Sequence, residues 1–354
     1  MSDRLLRRIA RAGREALAGA QDSWKAAFFR PRTLSRPIEV AIIGSGKAAS
    51  YHLDTLKHIE NLRVSCIVNR GRTDPRPLMA KHHIPAHYTS VAEALEAGQF
   101  EAAIIAVPPG TTSAVTSALI QKGIRCLVEK PLSLSTREAA PFTKLESPSL
   151  HAVAYNRRFY SCILHALQIT QCLGTPYSMH IDAAEDVFKI LKASGEEALR
   201  VRLVANTTHA LDLFTLFLGR SIETKALYVQ RKLEDIPIGF QTGTRFENGS
   251  TATFVSHGMS PGDWLIFLYG HGYRLTINLS RNQCVLRHGK ESRAFRRNVG
   301  DRIAKEGVFL QAWAFFEAVA KDAPSPAPLC SFDEAYQTLK LAESILSATH
   351  SIAR

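Results

Sequence analysis

Between residues 38 and 128 the chain alternates short apolar runs with amphipathic segments of helical length. Four runs have the composition of buried strands: Ile38–Ile43, Arg63–Val68, Ala102–Val107 and Arg125–Val128. Four segments between them have helical periodicity: Ala48–His58, Pro77–His82, Val91–Ala97 and Thr111–Gln121. Strands and helices that alternate at this spacing form βαβ units. The pattern therefore predicts a parallel sheet with helices on both faces.

The pattern changes after Asn156. Two helical segments, Ser161–Gln171 and His209–Leu218, accompany a series of strand candidates separated by turn signals such as Asn248-Gly249. The candidates are Tyr177–Asp182, Ala226–Arg231, Gly239–Phe246, Thr251–Ser256, Trp264–Tyr269, Tyr273–Asn278 and Gln283–Arg287. Two helices, Phe309–Ala320 and Phe332–His350, close the chain. We predict an α/β protein whose second half is an α+β domain with a large, mostly antiparallel open sheet.

Residues 1–30 have the pattern of one basic amphipathic helix that ends at Pro31. Its apolar face comprises Leu5, Ile9, Leu17, Ala20, Trp24 and Phe28. Residues 1–36 contain nine lysines and arginines and three acids, so half of the net charge of +12 lies there. Three interpretations stay open: packing on the body or on a second subunit, binding to an anionic membrane surface, and a transit peptide.

We divide the chain into this N-terminal segment (1–36), a dinucleotide-binding domain (37–155) and a substrate and oligomerisation domain (156–354). The last helices could pack back on the dinucleotide-binding domain. A chain of 354 residues with 45% hydrophobic residues is long and apolar enough for two or three domains, which excludes a disordered chain. The six cysteines show no zinc-ligand spacing, and no apolar stretch approaches the roughly 20 residues that span a bilayer. We expect a reduced, cytoplasmic protein without a metal site.

A glycine-rich turn follows the first predicted strand. Its sequence, Gly44-Ser45-Gly46-Lys47-Ala48-Ala49, matches G-x-G-x-x-A where a strand leads into a helix. The first glycine permits a tight turn, the second lets the backbone approach a pyrophosphate, and the small alanine lets the helix pack on the strand. Free N–H groups at the helix N-terminus then hold the phosphates. We predict that these six residues bind a dinucleotide.

The residues after the second strand bear on which dinucleotide binds. That strand ends at Val68 and continues as Asn69-Arg70. An NAD-selective site places a carboxylate here, whereas a neutral residue followed by arginine suits a 2′-phosphate. NADP(H) is therefore favoured, and NAD(H) is the alternative.

The fourth strand leads into Glu129-Lys130-Pro131 at its carboxyl end, where ligands bind in open parallel sheets. A lysine beside a nicotinamide ring could donate a proton or a hydrogen bond to a substrate oxygen as hydride moves. Lys130 taken alone would be an ordinary exposed loop residue. Its position relative to the glycine turn favours the catalytic interpretation.

The order of these motifs resembles that of the glucose-fructose oxidoreductase and inositol dehydrogenase (Gfo/Idh/MocA) family. The motifs are Gly44-x-Gly46-x-x-Ala49, Val107-Pro108-Pro109, Glu129-Lys130-Pro131, Asn156-Arg157-Arg158-Phe159 and His209-Ala210-Leu211-Asp212. The resemblance covers residues 38–350, and the Glu-Lys-Pro tripeptide is its most specific element. It implies a Rossmann domain and a substrate domain whose open sheet often forms a subunit interface. It also implies NAD(P)-dependent oxidation of a sugar hydroxyl or reduction of a ketosugar by a homo-oligomer.

The resemblance also implies roles for particular residues. Lys130 corresponds to the family lysine near the reacting oxygen, and His209 corresponds to the histidine that acts as general acid or base. A histidine suits that role because its ordinary pKa lies close to neutrality. We expect Val107, Pro108, Glu129 and Lys130 at the cofactor. We expect the substrate to contact Lys130, Asn156, Arg157, Arg158, Asn206 and His209.

Two departures from the family pattern bear on the active site. Many members carry an aspartate four residues before the histidine, and Ala205 occupies that position here. Asn206 or Thr208 could substitute for it, or Lys130 and His209 could act without it. Thr112 stands where the family usually has a histidine after the proline turn.

The predicted function is hydride transfer between a nicotinamide and a secondary alcohol or ketone of a sugar. Six cations near the expected crevice would suit a nucleotide-linked sugar of polysaccharide synthesis, although they could equally be exposed surface charges. They are Arg157, Arg158, Lys189, Lys192, Arg200 and Arg202. The alternative is a cofactor-binding regulator or scaffold that has lost catalysis. No nucleic-acid-binding motif accompanies the positive charge, so nucleic acid is not an expected partner.

Overall fold

A computed structural model of the chain describes residues 32–71, 73–98, 100–147, 150–232, 236–295, 297, 301 and 305–351. The predicted N-terminal helix, residues 1–30, lies outside the described residues. The chain forms two compact units. The first unit runs from Arg30 to Phe159 and resumes from Gly300 to Leu339, and the second contains Tyr160–Val299 and the residues from Lys340 onwards.

Six parallel strands and the helices between them build the first unit. The strands are β1 (Arg32–Ile43), β2 (Ile59–Val68), β3 (Ala86–Tyr88), β4 (Ala102–Ile105), β5 (Arg125–Val128) and β6 (Ala152–Val153). The helices are α1 (Lys47–Leu56), α2 (Arg76–His82), α3 (Val91–Ala97), α4 (Pro109–Ile120) and α5 (Thr136–Ala139). The strand order is β3-β2-β1-β4-β5-β6, and each adjacent pair is parallel. This order is that of a dinucleotide-binding sheet, which confirms the predicted Rossmann fold.

The centre of this sheet is covered on both faces, because every residue of β4 and β5 is buried. A helix from late in the chain, α10 (Val308–Ala320), packs against β1 and α1. Arg125 at the start of β5 donates to the carbonyl oxygens of Ala318 and Ala323, at 3.2 and 2.5 Å. Residues from the end of the chain therefore complete the first unit.

Several strands of this sheet differ from the sequence-based expectation. β2 starts at Ile59 and not at Arg63, and β4 ends at Ile105 and not at Val107. β1 starts at Arg32 and not at Ile38, so residues 32–36 belong to the sheet, with a shift in register between Thr33 and Ile38. In this added part Leu34 is buried between exposed polar residues, so the segment shows no extended alternation. The edge strands β3 and β6 have three and two residues, too few for a period-two pattern to predict them.

The second unit contains a sheet of eight strands. They are β7 (Ser178–Ala184), β8 (Ser221–Lys232), β9 (Ile236–Phe246), β10 (Thr251–His257), β11 (Trp264–Gly270), β12 (Tyr273–Asn278), β13 (Gln283–His288) and β14 (Glu291–Phe295). The order is β14-β13-β12-β11-β7-β10-β9-β8, and only the pair β7 and β10 is parallel. The predicted mostly antiparallel sheet is confirmed.

The helices of the second unit include the one that carries His209. They are α6 (Ser161–Leu173), α7 (Val187–Arg200, broken at Gly195), α8 (Arg202–Ala205) and α9 (Thr208–Leu218). The last helix of the chain, α11, spans Phe332–Ser351 and contributes residues to both units. Phe214 of α9 packs on Phe246 and Phe254, with ring centroids 6.3 and 6.2 Å apart. These contacts fix α9 on the sheet. In the described part of the chain, no helix is long and apolar enough to cross a membrane.

Candidate functional site

Gly44 makes the turn between β1 and α1. Its φ of 112° lies in the left-handed region, and its N–H donates to the Val68 carbonyl oxygen at 2.8 Å. A Cβ atom at this position would overlap the carbonyl oxygen of Ala106, the residue after β4. Glycine is therefore required both by the backbone conformation and by the close approach of the neighbouring strand.

Gly46 caps the N-terminus of α1 and leaves space in front of it. In the described structure no side chain caps the helix, its first turn holds no acid, and no atom lies within 4 Å of where a Cβ at Gly46 would be. The first N–H groups of the helix and its positive dipole end therefore face an open cradle. Ala49 is fully buried behind it, as the motif requires. This arrangement fits the pyrophosphate of a dinucleotide.

Two lysines add positive charge to this end of α1. The exposed Lys47 ammonium lies 5.8 Å from the centroid of the Tyr51 ring, and the Lys305 ammonium lies 4.4 Å from the same centroid. Lys305 lies just before α10 and reaches α1 because α10 packs on that helix. The sequence did not point to Lys305, since nothing in a local pattern shows which distant segment returns to the sheet.

Asn69 organises the loop after β2. Its amide nitrogen donates to the Ser45 hydroxyl at 2.5 Å and to the Thr73 carbonyl oxygen at 2.6 Å, while its amide oxygen accepts from the Gly71 N–H at 2.8 Å. Asn69 thus joins the glycine turn to the loop. As a neutral amide, it cannot supply the carboxylate that an NAD-selective site uses. Arg70 beside it is exposed and has no polar partner among the residues that the structure describes.

The proline turn follows β4. Pro108 is the N-cap of α4, and its carbonyl oxygen accepts from the Thr111 hydroxyl at 3.0 Å and from the Thr112 hydroxyl at 3.4 Å. Val107 is half-buried and Pro108 is exposed, so both can face a ligand at this sheet edge. Thr112, which replaces the expected histidine, is only 2% exposed and is bonded within its own helix.

Glu129 and the glycine turn lie at the same end of the parallel sheet, and β4 lies between the strands that precede them. The register pairs Ile43 with Ile105 and Ile105 with Val128, and the Glu129 N–H donates to the Ile105 carbonyl oxygen at 2.8 Å. Adjacent strands lie about 4.8 Å apart, so the residues after β1 and β5 are roughly 10 Å apart along this edge. Half-buried Lys130, the next residue, therefore lies at the same edge as the cofactor cradle.

The Glu129 carboxylate has a buried partner, His52 of α1. The Nε2 atom of His52 lies 2.9 Å from the carboxylate, and the His52 side chain is 1% exposed. Burial on its own would raise the pKa of Glu129, but the hydrogen bond from His52 and the positive charges of His52, Lys130 and Lys305 together lower it below its usual value. Glu129 is therefore ionised at neutral pH. Since a carboxylate only accepts, the Nε2 atom of His52 carries the proton.

The predicted substrate residues of the first unit have different surroundings. The Asn156 amide nitrogen donates to the Glu306 carbonyl oxygen at 2.8 Å, and Asn156 is 8% exposed. Arg158 is 1% exposed and donates to the Glu334 carboxylate at 3.0 Å. The burial of Arg158 and its ion pair with Glu334 argue against the predicted contact between Arg158 and substrate. Arg157 is half-buried and stays a candidate.

His209 belongs to the second unit and Lys130 to the first. His209 is 8% exposed in the first turn of α9, and Asn206 is exposed at the C-cap of α8. Arg202, one of the six cations considered for the substrate, is 3% exposed and pairs with Glu185 at 3.7 Å. It is therefore an internal residue. Lys189 and Lys192 are exposed, and the Arg200 side chain lies outside the described part of the structure.

The described side chains form no metal-ligand cluster, and the six cysteines form no disulfide with one another. Within the described ranges no group of three or more His, Cys, Asp and Glu side chains could hold a metal ion. The six cysteines, all of them described, form no disulfide with one another, and Cys172 is the exposed one. Burial raises the pKa of Cys66 to about 11 and that of Cys284 to about 12, so both stay thiols at neutral pH.

The parallel sheet, the glycine turn and the helix cradle define a dinucleotide-binding Rossmann fold. Residues 38–151 match the GFO_IDH_MocA model, described as an oxidoreductase family with an NAD-binding Rossmann fold. Residues 38–151 therefore resemble the Rossmann domain of this oxidoreductase family, in agreement with the motifs found in that part of the chain.

Individual proteins are similar to the chain at lower levels. The 4-carboxy-2-hydroxymuconate-6-semialdehyde dehydrogenase of Sphingobium sp. is 27% identical over 124 residues, which span 34% of this chain and 39% of that enzyme. UDP-N-acetylglucosamine 3-dehydrogenase from Acidithiobacillus ferrooxidans superposes with a TM-score of 0.76 at 17% identity, over 90% of this chain and 99% of that one. Levoglucosan dehydrogenase, in complex with NADH and levoglucosan, gives 0.78 at 16% identity, over 89% and 98%. At these identities the structural matches establish a shared fold.

Proposed function

We propose that the protein is an NAD(P)-dependent oxidoreductase that moves a hydride between the nicotinamide and a secondary alcohol or ketone of a sugar. The observation that carries the proposal is the placement of Lys130 at the same sheet edge as the Gly44–Ala49 cradle, roughly 10 Å along from it. Solved structures with this fold include a nucleotide-sugar dehydrogenase and a dehydrogenase bound to levoglucosan, which supports a sugar as substrate.

The chain's own residues supply binding and proton transfer in this proposal. The nicotinamide, when bound, accepts the hydride that leaves the substrate carbon. Lys130 donates a hydrogen bond to the reacting oxygen, which favours the developing carbonyl. His209 accepts the hydroxyl proton, so that the alcohol loses one hydride and one proton in forming the ketone. In the reverse direction His209 returns the proton to the oxygen.

A screen of sugars tests the proposal. Free sugars, inositols and nucleotide sugars are mixed with each oxidised cofactor, and the absorbance of reduced nicotinamide is followed. We expect turnover with at least one compound, and Lys130→Ala should lower kcat about 100-fold while cofactor affinity stays within about twofold. Lys122→Ala, at an exposed lysine of the same unit, is the matched control. Equal loss of turnover and cofactor affinity in Lys130→Ala would contradict the role of Lys130 as hydrogen-bond donor to the reacting oxygen.

We further propose that NADP(H) is the preferred cofactor. The support is the neutral Asn69, whose amide is used inside the loop, next to exposed Arg70, whose guanidinium can pair with a 2′-phosphate. Arg70→Ser should weaken NADPH binding about tenfold or more in a fluorescence titration and leave NADH binding unchanged. Equal losses of affinity for both cofactors in Arg70→Ser would refute the preference.

The finer substrate class rests on fewer residues. We propose a nucleotide-linked sugar, because two of the six cations considered above, Lys189 and Lys192, are exposed, whereas Arg158 and Arg202 are buried in ion pairs. A homo-oligomer is also proposed, since the second unit exposes Ile222, Leu227 and Tyr228 of β8 at 55, 61 and 57%. Size-exclusion chromatography with light scattering tests it, and a monomer would refute it.

Ala205 favours one competing candidate, a cofactor-binding regulator without catalysis. The family aspartate is absent from this position, and the residue beside it, Asn206, is exposed. Such a protein would bind NADPH and turn over no compound of the screen. Turnover with any sugar would exclude it.

A further inference from the structure

Ala205 ends α8, and a buried carboxylate from elsewhere in the chain contacts the residues around this position. Glu185, directly after β7, is 9% exposed. Its N–H donates to the His257 carbonyl oxygen at 2.8 Å, and the carbonyl oxygen of the preceding Ala184 accepts from the Trp264 indole at 2.9 Å. Residues of the two neighbouring strands therefore hold the peptide group that joins Ala184 to Glu185.

The Glu185 carboxylate is bound to the segment that precedes His209. The Thr207 hydroxyl donates to Glu185 Oε2 at 2.5 Å, and an Arg202 guanidinium nitrogen lies 3.7 Å from the same oxygen. Thr207 is fully buried and Arg202 is 3% exposed. A hydrogen bond to an ionised acceptor in such surroundings is among the stronger kinds in proteins.

Thr207 is the N-cap of α9, two residues before His209. Its hydroxyl does not cap the helix, although threonine is well suited to do so, because it donates to Glu185. The Thr207 N–H donates to the Arg202 carbonyl oxygen at 3.0 Å, and the Thr207 carbonyl oxygen accepts from Ala210 N–H at 2.8 Å. Glu185 and Arg202 thus hold the residue at which α9 begins.

We propose that Glu185 is a positioning residue that replaces the carboxylate missing at Ala205 and acts on His209 through Thr207. It fixes where α9 begins and so the orientation of the His209 imidazole. The inference rests on the proposed function of His209 as the proton-transfer group. A shift of about 1 Å in such a group is enough to cost a large factor in rate.

The test uses Thr207, since Glu185→Ala would remove the carboxylate beside the buried guanidinium of Arg202 and could prevent folding. Thr207→Val removes only the hydroxyl, and Thr207→Ser restores it. Thr242→Val is the matched control, because Thr242 of β9 is fully buried and its hydroxyl has no partner in the described structure. We expect Thr207→Val to lower kcat about tenfold with KM and NADPH affinity within about twofold. Thr207→Ser and Thr242→Val should stay within about twofold of the unchanged protein.

A second readout does not depend on turnover. The imidazole signals of His209 are recorded by NMR in the full-length, 15N-histidine-labelled protein and are assigned with His209→Asn. We expect them to shift in Thr207→Val and to return in Thr207→Ser. Unchanged kcat and unchanged His209 signals in Thr207→Val, or equal changes in Thr242→Val, would overturn the inference. Failure of the proposed function gives a different result: no turnover by the unchanged protein, with the His209 signals still responding to Thr207→Val.

Discussion

The pair formed by His52 and Glu129 gives the sharpest prediction for the first unit. His52→Leu removes a donor that is 1% exposed and 2.9 Å from a carboxylate whose side chain is 22% exposed. A hydrogen bond to a charged group contributes about 1.5–3 kcal/mol, and the carboxylate left behind loses part of its solvation. We expect a loss of about 2 kcal/mol in the free energy of unfolding, which lowers the Tm of a unit of this size by about 4–8 °C.

The size of this stability loss should depend on pH, because it depends on the ionisation of Glu129. The pKa of Glu129 is lowered in the folded protein, so its contribution to stability is complete above its unfolded pKa of 4.5 and is lost as the pH falls through the folded pKa. Without His52, the hydrogen bond and the charge that oppose the effect of burial are lost, so the pKa of Glu129 is higher in the variant than in the unchanged protein. Protonation of the carboxyl group then costs the variant less stability than it costs the unchanged protein. The Tm difference between the unchanged protein and His52→Leu should therefore be largest near about pH 7.5 and smaller near about pH 4.5.

Calorimetry from about pH 4.5 to pH 8 measures these differences. His52→Gln retains an N–H donor and should recover at least half of the lost stability. His58→Leu, on a half-buried histidine just after α1, is the control for replacing a histidine with leucine in this region. The reasoning is refuted if His52→Leu leaves the Tm unchanged, or if its effect is the same at both ends of the pH range.

Three further predictions concern binding and stability. Gly44→Ala should abolish NADPH binding and lower the Tm by several degrees, since Cβ would overlap the Ala106 carbonyl, whereas Gly110→Ala, with open space around it, should bind normally in a fluorescence titration. Lys305→Met should weaken NADPH about threefold to tenfold at low salt, with the difference shrinking as salt is added; equal affinity at low salt would contradict a role at the cradle. Arg158→Met should lower the Tm by an amount that corresponds to about 2–3 kcal/mol and leave the KM for sugar unchanged, whereas a raised KM would return Arg158 to the substrate site.

Local patterns were sufficient to predict the four central strands of the sheet of the first unit, β2, β1, β4 and β5. Its central strands are continuous apolar runs because they are buried on both faces, and the glycine motif marks the turn after β1 without knowledge of the fold. The short strands β3 and β6 and the strand β14 were not predicted. They contain too few residues, or too many polar ones, to produce a pattern.

The partners of the site residues could not be read from local patterns. Glu129 and Lys130 were found through the strand that precedes them, but the contact of Glu129 with His52 joins residues 77 positions apart. Arg158 was predicted to contact substrate because the sequence gives its charge and not its burial. The contact between Glu185 and Thr207 was not predicted either, since the two residues are 22 positions apart. In the sequence, Glu185 is an acidic residue after a strand, and no motif distinguishes it.

The central claim is direct hydride transfer from a sugar carbon to a bound nicotinamide. It is tested most directly with the substrate found in the screen, synthesised with deuterium at the carbon that is oxidised, and by mass spectrometry of the reduced cofactor after a single turnover. The account predicts one deuterium in the reduced nicotinamide, and Lys130→Ala should slow its appearance about 100-fold. A reduced cofactor without deuterium, or an unchanged protein that binds neither NADPH nor NADH, would contradict it.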